Sequence, residues 1–276
     1  MSDFDFKVIN AEEEIQHIVD EIKKYFVKNG NENTKAVIGI SGGKDSTIAA
    51  ALLVRALGAE RVIGVMMPEG TQKDIHDSQE VCDILDIEAY TINIGDAVQA
   101  LYGGLIPVRA QSEIDGPLPA IVTTNTPARV RMATLYAVAG LVGGRVINTG
   151  NKSELYIGYT TKYGDLAGDF AIFKDYCVRE VLEIGDNLDE LPAHLVHKAP
   201  GDGMSGKTDE DNTGIPYDVL DAYLLDEVIP DYNILRKIEE RHTRNLHKRD
   251  ICMPYIRIKT RAWHENSNKE ECPFSF

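Results

Sequence analysis

Apolar residues recur along this chain in two rhythms. In "EEEIQHIVDEIKKYFVKNG", Ile15, Ile18, Val19, Ile22 and Phe26 fall at three- and four-residue steps, which is one helix face, and Gly30 follows as a stop. Short unbroken apolar runs come next. "KAVIGI" predicts a buried strand, "STIAAALLVRALG" a buried helix ended by Gly58, and "RVIGVMMP" a second buried strand. "QKDIHDSQEVCDILDI" predicts a helix and "EAYTINI" a third strand. "TPARVRMATLYAVAGLVGG" predicts a long helix, with Thr126 as N-cap and Pro127 in its first turn, and "RVINTG" a fourth strand. Apolar strands alternating with helices predict an α/β fold, a doubly wound parallel sheet of Rossmann-like type with flanking helices on both faces.

The rhythm loosens after Gly150. "NKSELYIGYTTKYGDLAGDF" has no clear period, and "GGLIPVRAQSEIDGPLPAIVTTN" reads as an irregular crossover. "KDYCVREVLEIGDNLDEL", "PYDVLDAYLLDEV" and "PDYNILRKIEERHTRNLH" predict helices. "HKAPGDGMSGKTDEDNTG" reads as a loop or lid, within which Asp209 and Glu210 are the expected fixing points.

Charge sharpens this picture. The formal net charge of −15 argues against non-specific nucleic-acid binding, which needs a basic face. It also repels anions at long range, so any phosphate site must gather its own cations and backbone N–H groups. No apolar run reaches the ~18 residues of a membrane span. Cys82, Cys177, Cys252 and Cys272 form no CxxC pair. With no signal peptide they read as free thiols in a reducing, cytoplasmic setting, and they argue against zinc.

Candidate chemistry concentrates in "GISGGKDST", from Gly39 to Thr47, at the end of the first predicted strand. A Walker P-loop does not fit. Its opening glycine would be Ile38 and its magnesium-binding hydroxyl would be Asp45. The run is still suited to an anion. Gly42 and Gly43 let successive N–H groups converge, Ser41 and Ser46 offer hydroxyls, and the following helix start adds positive dipole. Asp45 would repel a phosphate unless a cation bridges them, which implies Mg2+.

"SGGKDS" resembles the signature of the N-type ATP pyrophosphatases, the PP-loop family of adenine nucleotide alpha hydrolase type. "NTPARVRM", "NTGNKSELYIGYTTKYGDLAGD", "KAPGDGMSGKTDEDNTGIPYDVLDAYL" and "HKR" further resemble the ordered motifs of the ammonia-dependent NAD synthetase family, from about Ile15 to Pro254. The resemblance implies a ligase. ATP adenylates the nicotinate carboxylate of deamido-NAD, and ammonia displaces AMP to give NAD. It implies one NAD synthetase domain over 1–276, with no glutaminase domain.

Site residues follow from the same resemblance. ATP contacts are expected from Gly39, Ile40, Ser41, Gly42, Gly43, Lys44, Asp45, Ser46, Gln72 and Thr149. Asp45 and Glu154 match magnesium ligands. Arg129, Lys162, Asp169, His247 and Lys248 match deamido-NAD contacts; Arg131 is either an alternative to Arg129 or a surface residue. Asp45, Lys44 and Asp165 are the candidate catalytic residues. Asp165 either handles the ammonium proton or caps a loop. Lys44, Arg129, Lys162, His247 and Lys248 are the cations that the acidic chain requires. A homodimer is implied, with the apolar "ATLYAVAGLVGG" helix serving either as interface or as core.

Three positions depart from the commoner family pattern. Met66 stands where many members have an ATP-binding Arg, Val178 where a Lys is usual, and Gly201 where a hydroxyl residue is usual. Lys174, Arg179, Lys198 and Lys207 are the nearby cations that could compensate. The departures keep two other readings open: a PP-loop enzyme with another acceptor, and a weakly active nucleotide-binding protein.

Overall fold

The computed structural model describes residues 9–71, 75–113, 115–198 and 208–249. Five parallel strands form one sheet in the order β3-β2-β1-β4-β5. They are β1 (Lys35–Gly39), β2 (Val62–Met66), β3 (Glu88–Thr91), β4 (Gly144–Asn148) and β5 (Phe170–Ala171). The order reverses between β1 and β4. That is the switch point of a doubly wound sheet, where a crevice opens beyond the strand ends. The expected α/β architecture is present. The two-residue β5 lies in the stretch where no period was visible.

One sheet face packs on α1 (Ala11–Asn29), α2 (Lys44–Leu57) and α8 (Val178–Asp186). Phe26, Ile38, Ile48, Leu52, Phe173 and Ile184 form the centre of that core. The other face is covered by α6 (Ala120–Val142), through Val138 and Ala139 on Val37, Ile63, Val65 and Val146. Fully buried strands explain why their sequences are apolar throughout.

α6 corrects one expectation. It starts at Ala120 with Pro119 at its N-cap, so Thr126 lies inside the helix and Pro127 is interior and buried. An interior proline leaves the carbonyl four residues earlier without its N–H partner. That carbonyl, on Thr123, accepts instead from the Tyr102 hydroxyl at 3.4 Å. Tyr102 belongs to α4 (Gly95–Gly104), within a crossover that also holds α5 (Ile106–Gln111). The helix expected at 72–87 appears as α3 (Ile75–Ile84). The C-terminal part comprises α7 (Lys152–Ile157), α9 (Ala193–Val196), α10 (Asp209–Thr213), α11 (Tyr217–Leu225), α12 (Tyr232–Arg244) and α13 (Leu246–Arg249).

Candidate active site

The loop between β1 and α2 is built from its own side chains. The Ser41 N–H donates to Ser46 Oγ (3.3 Å), the Gly43 N–H donates to Ser41 Oγ (3.2 Å), and Ser46 Oγ donates to the Gly43 carbonyl (3.0 Å). Gly42 has φ +75°, and a Cβ there would lie 3.0 Å from Asp77 Cβ and from the Ser78 backbone nitrogen. Only glycine suits that position. Gly39 ends β1. Ile40 has its side chain in the core and donates its N–H to the Val65 carbonyl.

Lys44 and Asp45 open α2. Lys44 is 4% exposed, and its Nζ lies 2.8 Å from Asp45 Oδ2. Burial opposes the ammonium charge, but Asp45, Glu154 and Asp209 outweigh it and hold its pKa above the ordinary lysine value.

The opposite bank of the crevice is the start of α7. Asn151 is its N-cap and forms a reciprocal capping box with Glu154: the Glu154 N–H donates to Asn151 Oδ1 (3.0 Å), and the Asn151 N–H donates to Glu154 Oε2 (3.2 Å). Asn151 Nδ2 also faces Asp45 Oδ1 at 3.4 Å. Burial first, and then the Asp45 charge, push the Glu154 carboxyl up to about 8, against the pull of Lys44. Glu154 is densely surrounded yet keeps some contact with solvent. Two hard carboxylates, one of them raised by the charge of the other, form a donor set suited to a divalent cation with further oxygen ligands, and Mg2+ fits them.

Beyond α7, Asn148 Nδ2 donates to the carbonyls of Asp165 (2.7 Å) and Ala167 (3.3 Å), which holds the following turn beside Thr149. The Asp165 carboxylate accepts the Thr161 N–H at 2.6 Å. It is crowded by protein, which raises its pKa, although the residue remains solvent-exposed. So Asp165 does cap its turn, and Lys248 and Glu154 feel its charge.

The expected substrate residues form a connected chain. Arg129 Nε donates to the Lys162 carbonyl (3.3 Å), Lys162 Nζ to the His247 carbonyl (2.5 Å), and Lys248 Nζ to the Gly158 and Thr160 carbonyls (both 2.7 Å). Arg131 donates to the Met67 carbonyl (3.1 Å) and is partly buried. Asp169 accepts from the Val146 N–H (2.8 Å) and the Tyr136 hydroxyl (3.2 Å), so it already has a structural task beside β4.

Met66 and Val178 are both buried, at 3% and 6% exposure, in apolar surroundings. Arg179 is held bidentately by Asp226, and Lys198 pairs with Asp77 beside Gly42. Gln72, Gly201, Lys207 and half of the expected lid, residues 199–207, lie outside the described residues. Asp209 and Glu210 are described. Asp209 is buried at the start of α10, and Glu210 accepts the Tyr217 N–H at 2.8 Å.

Asn151 and Tyr217 were not singled out from sequence. "NKSE" carried the Asn151 signal, since it has the spacing of a capping box. Tyr217 offered none.

An anion cradle at the switch point of a parallel sheet, faced by two carboxylates and bordered by held cations, defines an α/β enzyme that works on nucleotide phosphates. The chain belongs to the NAD synthase family, whose model matches residues 14–252. It is 42% identical over 192 residues to an NH(3)-dependent NAD(+) synthetase of Methanococcoides burtonii, covering 68% of this chain and 70% of that protein. Among solved structures, it resembles NMN synthetase from Francisella tularensis at TM-score 0.79 and 33% identity, covering 90% and 99% of the two chains. It also resembles NH3-dependent NAD synthetase from Campylobacter jejuni at TM-score 0.69 and 27% identity, over 90% and 99%.

Proposed function

We propose that this chain is an ammonia-dependent NAD synthetase, acting as one domain over 1–276 in the cytoplasm. The observation that carries the reading is the meeting of Asp45 and Glu154 across the β1–β4 crevice, beside the Ser41–Ser46 cradle. Ammonia-dependent relatives support the nitrogen source. Cys82 and Cys177 are buried free thiols, in keeping with a reducing compartment. No helix among the described residues is long and apolar enough to cross a membrane.

The chemistry uses each part. A carboxylate is a poor acyl donor because its leaving group would be oxide. Attack of the nicotinate oxygen on the α-phosphorus of ATP gives an acyl-adenylate and releases pyrophosphate. The Ser41–Ser46 backbone and Lys44 receive that pyrophosphate. Asp45 and Glu154 would hold Mg2+, which would offset the charge of the converging anions. Gln72 and Thr149 serve the nucleotide. Arg129, Lys162, Asp169, His247 and Lys248 hold the dinucleotide acceptor, with Arg131 steadying the wall behind Arg129. Asp165 attracts ammonium and takes its proton; ammonia then attacks the acyl carbon and AMP leaves.

The working form is a homodimer. α4 and α6 leave a mostly apolar groove of about 640 Å³, lined by Leu101, Leu105, Val130 and Ala133, and Arg129 sits on its edge. Leu101 in that groove is 52% exposed, and Ile121 and Leu141, elsewhere on α6, are 70% and 87% exposed. Such a face calls for cover.

A second reading is favoured by the Francisella tularensis likeness: the same amidation on nicotinate mononucleotide. One assay separates the two. Purified protein with ATP, Mg2+ and ammonium is given either acceptor. Stoichiometric NAD and AMP from deamido-NAD at the higher kcat/KM supports the first; preference for the mononucleotide supports the second. AMP with neither amide means another acceptor, and nucleotide binding without turnover means a weakly active binding protein.

A further inference from the structure

Tyr217 lies within the motif "KAPGDGMSGKTDEDNTGIPYDVLDAYL", yet the expected ligand set gives it no task. It opens α11, is 5% exposed, and packs with Ile157, Val178, Ile215, Leu220 and Ile238. Its hydroxyl is fully buried and has no hydrogen-bond partner among the described residues. Burial first, and then the charges of Glu154, Asp209 and Asp45, raise its pKa and keep the phenol protonated. Its ring lies under Lys44, with Nζ 6.0 Å from the centroid, at the outer limit of a cation–π contact. A buried hydroxyl without a partner is costly, and native sites that keep one usually have a use for it.

Asp45 supplies the use. Its Oδ2 accepts from Lys44 and its Oδ1 faces Asn151. Asp45 cannot keep the Lys44 contact at full strength and also bind a divalent cation through that oxygen. Lys44 is too buried to turn to bulk water, and a cation beside Asp45 repels its ammonium. The Tyr217 ring lies beside it, and the Tyr217 hydroxyl is a buried oxygen left unpaired among the described residues.

We propose that Tyr217 is a positioning residue for the reaction: its unpaired hydroxyl and ring receive the Lys44 ammonium when a divalent cation takes Asp45, and so aim Lys44 at the phosphates. The hydroxyl accepts a hydrogen bond from Lys44 and offers its own proton to the neighbouring acids. Tyr217 acts through Lys44 and touches no reacting atom. The proposal rests on the ATP and Mg2+ reading of the site, and not on the identity of the acceptor.

The test is Tyr217→Phe, which keeps the ring and removes the unpaired oxygen. Three readouts are taken: melting temperature without Mg2+ or nucleotide, calorimetric affinity for a non-cleavable ATP analogue with Mg2+, and kcat. The expected result is a melting temperature equal to or above that of the parent, with analogue affinity and kcat each reduced about tenfold, the scale of one lost hydrogen bond to a charged group. A merely structural hydroxyl would give the opposite pairing. A variant that melts clearly earlier, or fails to fold, shows that the hydroxyl has a structural partner and overturns the proposal. Unchanged affinity and kcat at an unchanged melting temperature overturn it as well. If the parent protein itself binds no ATP analogue with Mg2+, the functional reading falls, and that outcome is visible before any variant is made.

Discussion

Asn151 Nδ2 stands 3.4 Å from Asp45 Oδ1, although 106 positions separate the two residues. One follows β4 and the other follows β1, so the contact spans the crevice at the sheet's switch point. Asn151 also caps α7 and fixes Glu154. A single residue therefore touches both carboxylates assigned to Mg2+.

Asn151→Ala removes both contacts. Loss of an N-cap costs about 1 kcal/mol. Denaturant unfolding is expected to show a loss of that size, and half-maximal activity should need several-fold more Mg2+. A stability loss with an unchanged Mg2+ requirement would reduce Asn151 to a helix cap.

Asp45→Ala and Glu154→Ala are each expected to lower turnover on the order of a hundredfold or more, as loss of a preorganised charge stabiliser does. Single-turnover AMP release measures this. Near-normal rates in both variants would overturn the metal assignment.

Gly42→Ala places a Cβ at 3.0 Å from a backbone nitrogen, at φ +75°. The left-handed backbone alone costs about 1–2 kcal/mol. The variant should unfold at lower urea and bind the ATP analogue weakly. Parent-like binding would show that the loop does not need this curl.

His242 gives a pH signature away from the carboxylates. Burial, and then the Arg249 charge, lower its pKa below the ordinary histidine value. The folded chain thus binds this proton less readily than the unfolded chain. Stability is full above about pH 6.5 and is lost as pH falls through the lower folded value. The surroundings fit a neutral ring: it stacks on Tyr156 at 4.0 Å, and Arg249 donates to it at 3.0 Å. His242→Gln should flatten the dependence of melting temperature on pH between about 5 and 7. An unchanged slope would assign the acid sensitivity elsewhere.

The sheet and the Ser41–Ser46 loop that follows β1 were legible because both are local. Buried strands are written as apolar runs, and "SGGKDS" is contiguous. The start of α6 was not, because Pro127 reads as a helix beginning, whereas the Thr123 carbonyl it leaves unpaired is met by the Tyr102 hydroxyl from another helix. β5 escaped notice because two residues carry no period. Asp45 and Glu154 were recognisable as a pair only through family likeness. Tyr217 was invisible because nothing in "GIPYDVL" separates a core tyrosine from one lying under Lys44. The role of Asp169 was legible only in part: its carboxylate is already engaged by the Val146 N–H and the Tyr136 hydroxyl.

The apolar groove supplies a test of assembly. Leu101→Glu combined with Ile121→Glu should shift sedimentation from dimer to monomer while leaving helical content unchanged. A parent that already sediments as a monomer would remove the dimer from the reading.

Arg129 belongs at once to that groove and, through the Lys162 carbonyl, to the chain of cations that ends at His247. A residue shared by two surfaces links them thermodynamically. Whatever factor assembly adds to acceptor affinity, the acceptor must return to assembly. Diluting the protein would then act as an inhibitor does, raising the apparent KM for the acceptor while leaving that for ATP nearly alone.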